Sequence, residues 1–175
     1  MPAPILSVTD AAPLLPPRGG LIGLDLGTKT IGVASCDPER RLAAPVETIT
    51  RKQFTPDAAR ILALGAARGA AGFVIGLPVN MDGSEGPRAQ SSRAFARNFA
   101  RLTELPIILW DERLSTAAVE RDMIAMDMSR ARRAEVVDQQ AATFILQGAL
   151  DRLRHIAGQG GAAPDRAGQD DGKLG

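Results

Sequence analysis

Apolar residues cluster along this chain in two different periods. Leu21–Leu26 (Leu-Ile-Gly-Leu-Asp-Leu) and residues 31–36 are dense in aliphatic side chains, and Gly27-Thr28-Lys29-Thr30 separates them. That pattern predicts two strands joined by a tight turn. Residues 44–49 predict a third strand, completing a meander. Thr55 followed by Pro56 predicts an N-cap and first helical position, opening a helix that runs to about Arg68 and stops at Gly69. Residues 72–75 are short and wholly apolar, as expected of a strand covered on both faces. Pro87 predicts the start of a second helix, in which Ser92, Phe95, Phe99 and Leu102 recur at helical spacing. Residues 106–110 predict another apolar strand. Ser115 predicts the cap of a third helix, with Leu114 and Val119 forming a hydrophobic staple. A last helix is predicted over 132–155.

The order β-β-β-α-β-α-β-α-α predicts an α/β domain. Its mixed sheet joins a three-stranded antiparallel meander to two parallel strands, with helices on both faces. The folded unit is expected over 20–157. Residues 1–19, rich in proline and alanine, are expected to be a flexible N-terminal extension. Residues 158–175, glycine-rich and polar, are expected to be a disordered tail.

Composition narrows the picture only a little. Apolar residues make up 45% and charged residues 23%, ordinary for a globular protein. Aromatics are 3%, with no tyrosine, so any nucleic-acid contact must rest on charge more than on base stacking. The net charge of +1 is uninformative. The lone Cys36 has no partner for a disulfide within the chain and fits a reducing compartment. Nothing reads as a signal peptide or membrane span, so a cytoplasmic protein with no membrane partner is expected.

Three acidic positions carry candidate chemistry. Asp25 sits inside an otherwise apolar strand, between Gly23 and Gly27, where burying an isolated carboxylate costs several kcal/mol or more, roughly, unless it is compensated. Asp111-Glu112-Arg113 emerges at the C-terminal end of a strand, the edge where ligand sites of open α/β sheets collect. Period two sends Asp111 and Glu112 to opposite sides, so one of them faces the cleft, and Glu112 has the longer reach. Asp138 lies in the last helix on a stripe with Ala134, Ala141, Ala142 and Ile145, a face directed to the core. Carboxylates on a strand, a strand end and a facing helix make a hard-oxygen site suited to Mg²⁺ or Mn²⁺. Two such ions could support phosphodiester hydrolysis. His155 stands alone and near the chain end, so no His/Cys set exists for zinc, and a Ser-His-Asp hydrolase is not expected.

Basic groups lie beside these acids. The loop 76–86 (Gly-Leu-Pro-Val-Asn-Met-Asp-Gly-Ser-Glu-Gly) follows a buried strand on the same edge, and its backbone N–H groups with the next helix N-terminus could hold a phosphate. Asp82 and Glu85 in it are further candidate acids. Arg88, Arg93, Arg97 and Arg101 follow, at the spacing of an ordinary solvated helix face. Arg130, Arg132 and Arg133 cluster before Asp138. Arginine pairs bidentately with phosphate, so that cluster reads as substrate binding.

Four ordered blocks, LIGLDLGTKTIGVA, GLPVNMDGSEG, DERLST and VDQQAATFILQ, closely resemble the YqgF (RuvX) family of RNase H-like nucleases over roughly residues 21–153. The resemblance implies an RNase H-like fold and metal-dependent endonuclease activity in 5′-end maturation of pre-16S ribosomal RNA. The alternatives are a Holliday junction resolvase-like DNA nuclease and a non-catalytic RNA-binding assembly factor. It carries the acidic site onto Asp25, Glu112 and Asp138, with Asp111 as the competitor for the middle place. Substrate contacts are expected from Lys29, Asn80, Arg88, Arg113, Arg130, Arg132 and Arg133. The implied partner is structured RNA such as precursor rRNA, or branched DNA, bound by a monomer or homodimer. Two departures stand out. Thr30 follows the lysine where relatives often carry a basic residue, and Ala141 stands where resolvases of similar fold often have another acid.

Overall fold

The structure, a computed structural model, describes residues 1–114 and 130–160, with the backbone alone for 130–139 and 160. Its elements in chain order are β1 (Ile5–Leu6), α1 (Val8–Ala11), β2 (Leu21–Leu26), β3 (Thr30–Cys36) and β4 (Ala43–Thr50), then α2 (Phe54–Ala67), β5 (Gly72–Leu77), α3 (Pro87–Ala100), β6 (Ile107–Asp111) and α4 (Arg130–Gly160). Short 3₁₀ turns cover Ala12–Leu14 and Glu112–Leu114.

Among the described residues one six-stranded sheet forms, in the order β1-β6-β5-β2-β3-β4. The predicted meander is β2, β3 and β4, paired antiparallel. The predicted parallel strands are β5 beside β2 and β6 beside β5. Helices cover both faces, as the element order implied. Alternation along the strands sends Ile22, Leu24, Phe73 and Ile75 to a face packed by Ile61 and Leu64 of α2 and Phe95 and Phe99 of α3. It sends Leu21, Val74, Ile108 and Trp110 to the other face, under Ala142, Ile145, Leu146 and Ala149 of α4.

The N-terminal segment departs from expectation. Residues 1–19 are not a loose extension through their length: β1 adds a parallel edge strand, with Ile5 beside Ile107 and Leu6 beside Ile108. The Ala3 amide donates to the Ala100 carbonyl at 2.8 Å, and Val8 and Ala11 are buried. Arg40 then fastens the end of the segment, donating to the Gly19 and Pro16 carbonyls at 2.7 Å each. A two-residue strand is too short to show any period in sequence. What orders it is the unpaired edge of β6, whose backbone groups need partners.

The start of α2 also shifts. The helix begins at Phe54 after Gln53, which makes no side-chain cap, so Thr55 and Pro56 lie within the first turn. Phe54 is drawn inward by Phe95, their rings edge-on at 5.3 Å. The buried Asp57 carboxylate accepts weakly from the Lys52 amide at 3.3 Å, and Pro56 removes only an N–H that the first turn leaves unbonded. The helix stops where expected, with Gly69 at φ +61°. In α3, Pro87 opens the helix and Ser92, Phe95 and Phe99 are buried, but Leu102 lies past the last turn and is exposed. The helix predicted from Ser115, its Leu114–Val119 staple, and residues 161–175 of the expected tail lie outside the described residues, whereas 158–160 continue α4.

Candidate functional site

Asp25 is the next-to-last residue of β2 and is 5% exposed. It pairs with Gly32 of β3 on one side. On the other side the parallel register runs Gly23 to Val74 and Leu24 to Ile75, so Gly76 is its next neighbour along β5. Asp25 therefore shares with Gly23 and Val74 the face covered by α4. The turn after it is closed by the Gly27 amide donating to the Thr30 carbonyl at 2.9 Å.

Glu112 reaches that same place from two strands away. It follows β6 in the 3₁₀ turn, and its Oε1 lies 2.6 Å from the point where a Cβ on Gly76 would stand. Ile145 Cδ1 of α4 lies 2.5 Å from the same point. Gly76 thus leaves a gap in the strand that the Glu112 carboxylate fills, on the face and at the level of Asp25. Asp111 goes the other way. Trp110 packs under α4, so Asp111 points to the opposite face. There Arg113 donates to both its oxygens, through Nε at 3.1 Å and NH2 at 2.7 Å, and through its backbone amide at 2.9 Å. The guanidinium hydrogen bond holds the Asp111 carboxyl below its ordinary range.

The third candidate, Asp138, lies in α4, where the described structure is the backbone. The helix runs against the direction of β2. At its C-terminal half the Gln147 carboxamide accepts from the Ala43 amide at 2.9 Å and donates to the Arg41 carbonyl at 3.1 Å, beside the C-terminal end of β3, which pairs with the start of β2. Over Gly23 the helix comes so close that a Cβ there would stand 2.7 Å from Leu146 Cβ and 3.0 Å from the Ala142 carbonyl oxygen. From Gly23 to Asp25 is an advance of about 6.6 Å, and one helical turn before Ala142, about 5.4 Å, is residue 138. The predicted stripe is buried at Ala141, Ala142 and Ile145, each fully. Ala141, where a further acid would stand, is packed into the core.

The expected substrate contacts divide. Asn80, Arg88, Arg113 and Glu112 line one hollow of about 410 Å³ at the C-terminal edge of the parallel strands. Lys29 is exposed on the β2–β3 turn, outside that hollow. Arg113 is held by Asp111, and the Asn80 carboxamide donates to Ser84 Oγ at 3.0 Å. The side chains of Arg130, Arg132 and Arg133 lie outside the described structure. Asp82 and Glu85 are engaged elsewhere. Asp82 accepts from the Ser84 hydroxyl and amide, which lowers its pKa, and Glu85 is paired with Arg93, which lowers its own. Arg93 is thereby a loop fastener, while Arg97 and Arg101 are exposed along α3.

Sequence reasoning missed Arg51. It lies just past β4, donates NH1 to the Gly27 carbonyl at 2.7 Å, and sits over the Phe95 ring at 6.0 Å. No local pattern pointed to it, because the contact spans 24 residues.

Among the described residues no group of three His, Cys, Asp or Glu side chains is assembled. Two features nevertheless fit a divalent ion. One is a carboxylate buried in a strand. The other is a second carboxylate seated over a glycine that has no room for a side chain. Such donors suit Mg²⁺ or Mn²⁺, which take oxygen ligands and keep waters.

Residues 19–152 match the RuvX family, described as Holliday junction resolvase. A Rhodopseudomonas palustris (strain BisA53) protein named "Putative pre-16S rRNA nuclease" is 71% identical over 163 residues, covering 93% of this chain and 100% of the relative. A Bradyrhizobium diazoefficiens protein of the same name is 71% identical over 156 residues, covering 89% and 97%. A solved Thermus thermophilus RuvC in complex with Holliday junction substrate superposes with a TM-score of 0.48 at 12% identity, covering 77% and 96%. The sheet joins antiparallel and parallel strands with helices on both faces, the predicted α/β class. By the family match over most of its length and by these relatives, the chain belongs to the RuvX family.

Proposed function

We propose that this protein is a metal-dependent endonuclease that hydrolyses phosphodiester bonds in structured RNA, in the 5′-end maturation of pre-16S rRNA. The observation that supports the reading is the Glu112 carboxylate seated over Gly76, beside the end of β2 that carries Asp25 and on the face that α4 covers. Asp25, Glu112 and Asp138 would hold Mg²⁺ or Mn²⁺, which when bound supplies an activated water and charge stabilisation at the leaving oxygen.

The chain's own residues do the rest. The β2 strand holds the Asp25 carboxylate rigid and shielded from bulk water, so little reorganisation is needed when substrate arrives. Gly76 lets Glu112 approach. Arg88 and Asn80 line the hollow beside Glu112, where a phosphate of the substrate backbone can be gripped, and Lys29, exposed on the β2–β3 turn outside it, would meet a further phosphate. Arg113, neutralised in part by Asp111, orders the wall of that hollow. Arg130, Arg132 and Arg133, in the first turn of α4, would supply further phosphate contacts.

The fully buried Ala141 favours RNA processing over junction resolution, because the helix offers no additional acid at that position. The test is cleavage of a precursor rRNA and of a four-way DNA junction in Mg²⁺ or Mn²⁺ by the wild type and by Asp25→Asn. The expected result is metal-dependent cleavage of the rRNA, lost in a variant that stays folded. Undiminished cleavage by Asp25→Asn overturns the site, preferential cleavage of the junction overturns the substrate, and RNA binding without cleavage leaves a non-catalytic assembly factor.

A further inference from the structure

Arg51 ties together three parts of the molecule that no neighbouring sequence connects. Its backbone amide donates to the Lys29 carbonyl at 2.9 Å, continuing the β3–β4 ladder beyond its last rung, Thr30 with Thr50. Its NH1 donates to the Gly27 carbonyl at 2.7 Å. Its guanidinium lies over Phe95, and Phe95 is itself stacked on Phe99 at 5.8 Å and met edge-on by Phe54 at 5.3 Å. The turn is thus gripped from outside by Arg51 and from inside by the Gly27–Thr30 hydrogen bond. A Cβ at Gly27 would stand 2.8 Å from the Thr30 carbonyl, so this turn has one tight geometry.

We propose that Arg51 is a positioning residue that braces the Gly27–Thr30 turn against α3 and so fixes the Asp25 carboxylate for metal binding. The inference rests on the metal-nuclease reading above. It adds a residue that touches neither metal nor substrate. Asp25 is two residues from the braced carbonyl, near the end of a strand whose pairing with β3 stops at Leu26 and Ile31. Without the brace the last rung frays and the carboxylate samples more than one position. A planar guanidinium can lie flat on the Phe95 ring and still aim an N–H at Gly27, whereas a lysine ammonium keeps the charge and loses the fork. Outer residues that orient a metal ligand typically change metal affinity or activity by about 10–100-fold.

The test compares the full-length wild type with Arg51→Ala and Arg51→Lys. Three quantities are read: Mn²⁺ binding by calorimetry without nucleic acid, hydrogen exchange at the Gly27 amide, and kcat and KM for rRNA cleavage. Arg51→Ala is expected to weaken Mn²⁺ binding by about 10-fold. It should also speed exchange at Gly27 and lower kcat with KM unchanged. Arg51→Lys should recover part of each, and it carries the test if the alanine variant does not fold. Unchanged Mn²⁺ affinity and kcat with a raised KM would make Arg51 a phosphate contact and overturn the proposal. Unchanged exchange at Gly27 overturns it as well. If the wild type itself binds no Mn²⁺, the metal reading fails, while the exchange rate still decides whether Arg51 braces the turn.

Discussion

Glu112 occupies the space that Gly76 leaves: its Oε1 stands 2.6 Å from where a Cβ on that glycine would be, and Ile145 closes the gap from above. Gly76→Ala cannot keep all three in place. The methyl group would drive the carboxylate out and push on α4. Cleavage is expected to fall about 100-fold, the order of loss when a reacting group is misplaced by 1 Å. Steady-state kinetics together with a melting curve check this; a variant with full activity would show that the Glu112 position is immaterial.

Asp111 and Glu112 are adjacent in sequence and opposed in space. Asp111→Asn should lose part of its grip on Arg113 and keep metal-dependent cleavage within about 10-fold, since the neighbouring pair lines the site without facing Asp25. Glu112→Gln should lower cleavage by about 100-fold or more, as removal of a charged group acting in the transition state does. Parallel assays of both variants decide the matter, and the reverse ranking would return the middle place to Asp111.

Gly23 is where α4 sits down on the sheet. A methyl group there would lie 2.7 Å from Leu146 Cβ and 3.0 Å from the Ala142 carbonyl, and neither atom is the free end of a side chain. Gly23→Ala should cost about 1–3 kcal/mol through overpacking. Urea unfolding followed by circular dichroism measures it as a lower midpoint at unchanged slope.

Glu47 on β4 is paired with Arg60 on α2, with contacts of 2.6 and 2.9 Å. The Arg60 hydrogen bond holds the Glu47 carboxyl below its ordinary value. The folded state therefore keeps Glu47 ionised at pH values where the unfolded chain protonates it, near about 4.3 and below. Its contribution to stability is complete above that value and disappears as pH falls through the lower folded value. Glu47→Gln is expected to melt about 1–3 °C lower at pH 7, small because the pair is partly exposed. The gap should close in acid. A gap that widened in acid would contradict the assignment.

What could be read in sequence was whatever a short window contains. The meander, β5, β6, α3 and α4 announced themselves through runs and periods of apolar residues, because burial on one face or two imposes that spacing locally. The same reasoning marked Asp25, since a carboxylate in an apolar strand is conspicuous, and it separated Asp111 from Glu112 by the alternation of side chains. It could not say which of the two faced inward, because that depends on which face α4 covers. Nor could it find β1, whose two residues gain their partners from β6 about a hundred positions away, or Arg51, whose contacts at Gly27 and Phe95 exist only after three elements pack. Local chemistry determined the elements and the candidate acids. Tertiary packing decided which acid turns to the face that α4 covers, because only the closed sheet sets Gly76, and the space above it, within reach of Glu112 and beside β2.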